Sequence, residues 1–159
     1  LTTETIIDPI IYIDADACPV KDEVLKVGER HALIVTLVSN GGMRPSRDPM
    51  IRNVIVSKGA DAADDWIVEA VVKDDIVITA DVLLAARCVE KYAHVIGPTG
   101  RPFTQESIGM QVAMRDLKQQ LRESGEIKGY NPAFSARDRS NFLQALEASV
   151  RKATGKAKG

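Results

Sequence analysis

The 159-residue sequence predicts an α/β fold built on a mostly parallel sheet of about five strands, followed by two helices. Three observations carry this. Short runs rich in β-branched residues alternate with segments at helical spacing. The strand runs are apolar almost throughout, as strands covered on both faces are. After residue 103 the alternation stops and two long amphipathic segments take over.

In chain order, "IIYI" (10–13) reads as the first strand. "PVKDEVLKVGERH" (19–31) places Val20, Val24, Leu25 and Val27 near helical spacing, with Pro19 suited to a first helical position. "LIVTLVS" (33–39) is a second strand, and "NGGMRPSRDP" (40–49), with two Gly and two Pro, is a loop. "RNVIVS" (52–57) is a third strand. "DAADDWIVEAVVK" (61–73) is a helix with Trp66, Ile67, Ala70 and Val71 on one face. "DIVIT" (75–79) is a strand, "DVLLAARCVEKY" (81–92) a helix, "AHVIG" (93–97) a short strand and "PTGRPF" (98–103) a loop. A long helix spans 104–124, opened by Thr104. "GEIKGYNPAF" is a loop, and a last helix at 135–152 is capped by Ser135.

Composition bounds the function. Hydrophobic content of 45% and charged content of 27% suit one soluble globular domain, expected over 1–153, with a flexible basic tail at 154–159. Aromatics are only 4%, so the core must be aliphatic, and base stacking on aromatic rings is a poor fit. No apolar run approaches the roughly 18 residues of a membrane helix. "LTTETIIDPI" lacks the basic and apolar regions of a secretory signal. Cys18 and Cys88 make neither a disulfide framework nor a zinc pattern, so a reducing cytoplasm is the expected location. Charge is uneven: residues 1–81 carry a net of −7 and residues 82–159 a net of +6. An acidic half beside a basic half suits a metal site with a polyanion track, although surface charge also drifts along ordinary sequences.

The acids are the candidate chemistry. In an open parallel sheet, ligands bind beyond the carboxyl ends of the strands. Asp14 and Asp16 leave the first strand there, and Asp81 leaves the fourth in "ITAD". Asp61, Asp64 and Asp65 open a helix that starts at the same edge. Carboxylates this close raise one another's pKa or take a cation, and an all-oxygen set with no His or Cys favours Mg²⁺ or Mn²⁺. Each acid also has a plainer reading. Asp16, Asp61 and Asp81 can cap helices, and Asp64 and Asp65 can favour a helix dipole. Asp14, at the end of a buried strand, is the hardest to explain that way. Ser39, Asn40, Arg44 and Arg47 sit on a loop at the same rim and can grip a phosphate or form a solvated turn. His31 and His94 have no partner at ligand spacing and read as structural.

"DADACPV", "SN", "GADAADDWI", "IVITAD" with "LAA", the Arg…Leu-Arg…Gly spacing of the long helix and the Phe…Asp-Arg…Phe…Leu pattern together resemble the YaiI/YqxD family of bacterial proteins, over about residues 10–147. That family looks related to PIN-like nucleases, which gather acids around one or two divalent ions at the strand ends. The resemblance implies a PIN-like three-layer fold. It also implies that Asp14 is the first-strand acid, Asp64 or Asp65 the helix-borne acid, and Asp81 the acid after the fourth strand. This chain departs from the family pattern at Ala80, where a polar residue is usual. It departs again at "GPTGRPF", where an Asn-Pro-Arg-Gly turn is common; there Arg101 stands in as the phosphate contact.

The leading expectation is a Mg²⁺- or Mn²⁺-dependent nuclease acting on RNA rather than DNA. Asp14, Asp65 and Asp81 hold the ion, with Asp64 a further candidate ligand, and Asp16 and Asp61 assist. Ser39, Asn40, Arg44 and Arg101 bind substrate, and Arg115, Arg122, Arg137 and Arg139 attract the polyanion. A second expectation is a non-catalytic nucleic-acid-binding module of the same fold. A third is a haloacid-dehalogenase-type phosphatase, in which Asp14 attacks phosphorus and Asp16 is acid/base. Cys18 stands where that chemistry expects Thr or Val, and no Lys with a later Asp-Asp pair completes the pattern. The oligomeric state is left open.

Overall fold

The structure, a computed structural model, describes residues 8–16, 18–42, 44–59, 61–126 and 133–155. Its elements are β1 (Ile11–Asp14), α1 (Lys21–Arg30), β2 (Val35–Ser39), β3 (Ile51–Ile55), α2 (Ala62–Ala70), β4 (Ile76–Ile78), α3 (Val82–Glu90), β5 (His94–Ile96), β6 (Pro102–Phe103), α4 (Ile108–Glu123) and α5 (Ala136–Thr154). The six strands form one sheet in the order β3-β2-β1-β4-β5-β6. The first five are mutually parallel, and β6 runs antiparallel to β5. Of the expected tail, residues 156–159 lie outside the described set, as do 127–132 of the expected loop before α5.

Alternation along the strands sorts the aliphatic residues into two cores. Ile11 and Ile13, Val35 and Leu37, Ile76 and Ile78, and Ile96 face one side, where they pack with Val24 and Val27 of α1 and with Phe142, Leu146 and Val150 of α5. Tyr12, Val38, Val77 and Val95 face the other, against Ile67 of α2 and Leu84, Ala85 and Cys88 of α3. A strand with apolar partners on both faces favours apolar residues on both, which is why β1, β2 and β4 read as nearly continuous apolar runs, broken by Thr36 and Ser39 in β2 and closed by Asp14 in β1. α4 lies against α3 and buries none of its residues; Met110, Met114 and Leu117 remain exposed. Among the described residues, no helix is long and apolar enough to cross a membrane.

The sixth strand is the main addition to the five expected. Only two residues long, it falls within the expected loop at 98–103 and is too short to show a period. As an edge strand it tolerates Pro102, which has no N–H to donate, and it carries Phe103 into the core at 7% exposure. Helix boundaries shift for local reasons. α2 stops at Ala70 because the next residues turn back: Asp75 accepts the Val72 N–H at 2.9 Å. α4 starts late because Thr104 and Ser107 bond each other's backbone N–H, both at 3.1 Å, ahead of the helix. α5 is fixed by a capping box in which Ser135 accepts the Asp138 N–H and Asp138 the Ser135 N–H. α1 begins at Lys21, so Pro19 stands in the turn before it. The histidines are tied structurally, His31 to Glu147 at 2.9 Å and His94 to Asp74 at 3.2 Å.

Asp75 is the buried acid at the opposite, amino end of the strands. At 4% exposure it accepts the N–H of Ile10 at 3.0 Å as well as that of Val72. Burial raises its carboxyl pKa, and the two amides hold it partly back. Asp75→Ala would strand two amides, with an expected loss on the order of 3 kcal/mol. Asp75→Asn, which keeps one acceptor oxygen, should lose less. Urea midpoints of the two variants check this; equal midpoints would show that the two bonds are not what fixes this corner.

Candidate active site

The strand order puts β1 beside β4, although α1, β2, β3 and α2 intervene in sequence. The chain goes one way from β1 to β2 and β3, then crosses back to lay β4 on the other side of β1. This reversal leaves a crevice at the carboxyl ends of β1 and β4, the usual ligand position in open α/β sheets. A cavity of about 340 Å³ lies there, lined by Asp14, Asp16, Cys18, Thr79, Ala80, Asp81 and Pro98.

Asp14 ends β1. Its Oδ2 accepts a hydrogen bond from the Thr79 hydroxyl at 3.0 Å. Burial raises its pKa; the Thr79 bond opposes this, and the charges of Asp81 and Asp16 add to it. Thr79 is itself only 2% exposed, and its hydroxyl also accepts the Asp81 N–H at 3.0 Å. One hydroxyl thus joins the strand acid to the start of α3. Asp81 caps α3, its Oδ1 accepting the N–H of Leu83 at 2.9 Å and of Leu84 at 3.3 Å. The cap reading of Asp81 therefore holds, and the same carboxylate lines the cavity.

Asp16 does not cap a helix. α1 has Val20 at its cap position, and Asp16 Oδ2 instead accepts the Asn40 N–H at 3.1 Å, tying the β1 exit to the β2 exit. Asp61 occupies the cap position of α2 without a side-chain bond. The two acids after it diverge. Asp64 is half-buried, and its carboxyl is pushed up to about 6, by burial first and then by the charges of Asp81, Asp14 and Asp61. Asp65 is exposed and pairs with Arg87 of α3 at 2.9 Å. Successive helix residues point about 100° apart, so one of the two faces the rim and the other leaves it. Between Asp64 and Asp65, the structure turns Asp64 toward Asp14 and Asp81 and engages Asp65 elsewhere.

None of the expected phosphate contacts lines the cavity itself. Ser39 is 2% exposed and its hydroxyl accepts the Gly41 N–H at 3.3 Å, so it shapes the turn. Asn40 and Arg44 are exposed on the β2–β3 loop. Arg101 is exposed at the end of a turn in which its carbonyl accepts the Gly97 N–H at 2.8 Å. That turn carries Pro98 to the cavity wall. It seats on α5 through Gly100, whose φ is +91° and where an added β-carbon would stand 2.7 Å from the Asn141 carbonyl oxygen. Sequence reasoning missed Thr79 and Pro98. The signal for Thr79 was a hydroxyl closing an apolar strand two residues before Asp81. Cys18 lines the cavity as a neutral thiol, its pKa raised chiefly by burial.

Among the described residues, no three His, Cys, Asp or Glu side chains draw together tightly enough to hold an ion by themselves. The site is an open cavity lined by Asp14, Asp16 and Asp81, with Asp64 within electrostatic reach.

Two outcomes follow from this geometry. Asp64 takes a proton at about 6 in the fold and at its ordinary 3.8 when unfolded. Between these values the folded state holds more protons, so stability falls as pH rises through this window. Asp64→Asn is expected to stabilise the fold above about 6 and to change nothing below 3.8. Melting temperature against pH reads this out, and a pH-independent difference would contradict it. Gly100→Ala, which meets backbone in a left-handed conformation, is expected to lose about 2 kcal/mol or more in urea unfolding.

The comparisons with known proteins agree with one another. A family model described as "Uncharacterized BCR, YaiI/YqxD family" matches residues 12–152. The UPF0178 protein mlr0875 of Mesorhizobium japonicum is 69% identical over 145 residues, covering 91% of this chain and 94% of that one. UPF0178 protein Atu1478 of Agrobacterium fabrum is 66% identical, with 91% and 95% covered, and R01393 of Rhizobium meliloti 64%, with 90% and 98% covered. No solved structure matches. On the family match and these identities, the chain belongs to the YaiI/YqxD family of bacterial proteins.

Proposed function

We propose that the chain is a PIN-like, divalent-metal-dependent phosphodiesterase that cuts RNA in preference to DNA. The observation that carries this is Asp14: a carboxylate closing a strand buried on both faces, opening into one cavity with Asp81 and within electrostatic reach of Asp64. Such an arrangement opposes folding unless it serves a bound cation.

The donors fit a hard, hydrated ion. They are all oxygen, they leave the cavity open, and Mg²⁺ commonly takes only one or two carboxylates, keeping waters and substrate phosphate as its other ligands. Asp14 and Asp81 would hold Mg²⁺ or Mn²⁺, with Asp64 and Asp16 acting directly or through water. When bound, the ion supplies a water activated near neutral pH and a counter-charge for phosphate oxygens.

The remaining work belongs to the chain. Thr79 holds Asp14 by its hydroxyl, so the carboxylate that meets the ion keeps one orientation. Asp16, anchored to the Asn40 amide, holds the phosphate-side loop against the rim. Asp64, half-buried and within electrostatic reach of Asp14 and Asp81, is the candidate acid/base. Arg44, on the loop after β2, and Arg101, on the turn that carries Pro98, are exposed cations suited to RNA phosphates.

Purified protein with Mn²⁺ should cut a labelled single-stranded RNA, and Asp14→Asn should slow cleavage about a hundredfold or more. Equal rates for the two proteins would sink the reading. Binding that persists in EDTA with no cleavage in Mn²⁺ would point instead to a non-catalytic RNA-binding module.

A further inference from the structure

The acid cavity has a basic neighbour in the first turns of α5. The turn carrying Pro98 into the cavity wall rests, through Gly100, on the backbone of Asn141 and Phe142. On the α1 side, Cys18 lines the same cavity, packs on the same core cluster as Phe134, and lies within electrostatic range of Glu23. Arg139 joins these pieces. Its guanidinium donates to Oε1 of Glu23 and stands 5.2 Å over the Phe134 ring.

Glu23 is an unusual partner. Its side chain is only 13% exposed, and among the described residues its second oxygen, Oε2, is buried without a hydrogen-bond partner. A buried carboxylate needs a matched cation, and Arg139 provides it. Arg139 meets that need while staying 46% exposed, held on one edge by Glu23 and on one face by Phe134, where Arg30 on Glu147 has no such ring beneath it among the described residues. A guanidinium has five donors, so this mounting leaves a planar fork oriented and open to solvent, the geometry that recognises phosphate.

We propose that Arg139 is a phosphate clamp of the acid cavity, binding an RNA backbone phosphate next to the one held over Asp14, with Glu23 and Phe134 fixing its plane. This rests on the nuclease reading and narrows its substrate side to a chain with at least two phosphates.

The test is binding of labelled single-stranded RNA, by fluorescence anisotropy in EDTA across a salt series, so that no cleavage intervenes. Arg139→Ala is expected to weaken binding about tenfold and to lower the slope of log K against log salt by about 0.7, the share of one phosphate contact. Arg139→Lys should keep the slope but lose several-fold in affinity, because it retains the charge and not the fork. Arg30→Ala, at the far end of α1 and paired with Glu147, should alter neither. A purely structural role predicts changed unfolding with an unchanged slope. Should Arg139→Ala fail to fold, the Lys variant decides: affinity equal to wild type overturns the assignment. RNA bound and cut by the wild type with an unaltered Arg139→Ala slope overturns it while leaving the nuclease reading intact. A wild type that neither binds nor cuts RNA overturns both.

Discussion

A strand covered on both faces has little solvent to offer the residue that ends it, and here that residue is Asp14. Among the described residues its carboxylate has one hydrogen bond, from Thr79, and it opens into the cavity. Much of the local architecture follows from satisfying it. Thr79 can reach Asp14 only because β4 lies beside β1 in parallel register, Ile13 opposite Ile78. The same hydroxyl receives the Asp81 amide, so the start of α3 is set relative to the end of β1 by a single oxygen. Asp16 then ties the exit of β1 to that of β2. The sheet's reversal point and the acidic rim are one construction.

Charge on that rim is left unbalanced in a particular way. Arg87 is the cation on the adjoining helix surface, and it is spent on Asp65, away from the cavity. It lowers the Asp64 carboxyl only against larger effects from burial and three neighbouring acids. Glu23, in the first turn of α1, is matched by Arg139. Neutralising pairs therefore flank the cavity, and those paired acids are the ones outside it. Repulsion concentrated on Asp14, Asp64 and Asp81 is the feature that a divalent cation would relieve.

Much of this was legible from the residues. Nearly continuous apolar runs revealed a doubly covered sheet, because a half-covered strand would alternate apolar with polar residues. Asp14 stood out for the same reason. What the sequence could not supply was order: nothing in the spacing of 10–13 and 75–79 says that these strands are neighbours, so the meeting of Asp14 with Asp81 rested on assumption. The distinction between Asp64 and Asp65 was also hidden, since both open the same helix and only the helix's rotation against α3 separates them. Thr79 was overlooked because a Thr at a strand end has ordinary β propensity; its role exists only once Asp14 is across from it. β6 is held by a partner strand and not by its own pattern.

The strongest argument that these acids serve chemistry comes from what capping alone would require. Asn or Ser would cap α3 about as well as Asp81 does, without charge. Asn at position 14 would accept the Thr79 hydrogen bond equally well. Asn at position 64 would break no hydrogen bond of the Asp64 side chain among the described residues, so three neutral replacements would preserve the observed bonds of these side chains and remove their mutual repulsion. The chain instead keeps carboxylates at all three places, with burial and neighbouring charge raising the pKa of Asp14 and Asp64. Perturbed carboxylates gathered at strand ends are what a functional site leaves behind, and this avoidable penalty is the physical ground for proposing that a bound cation completes this one.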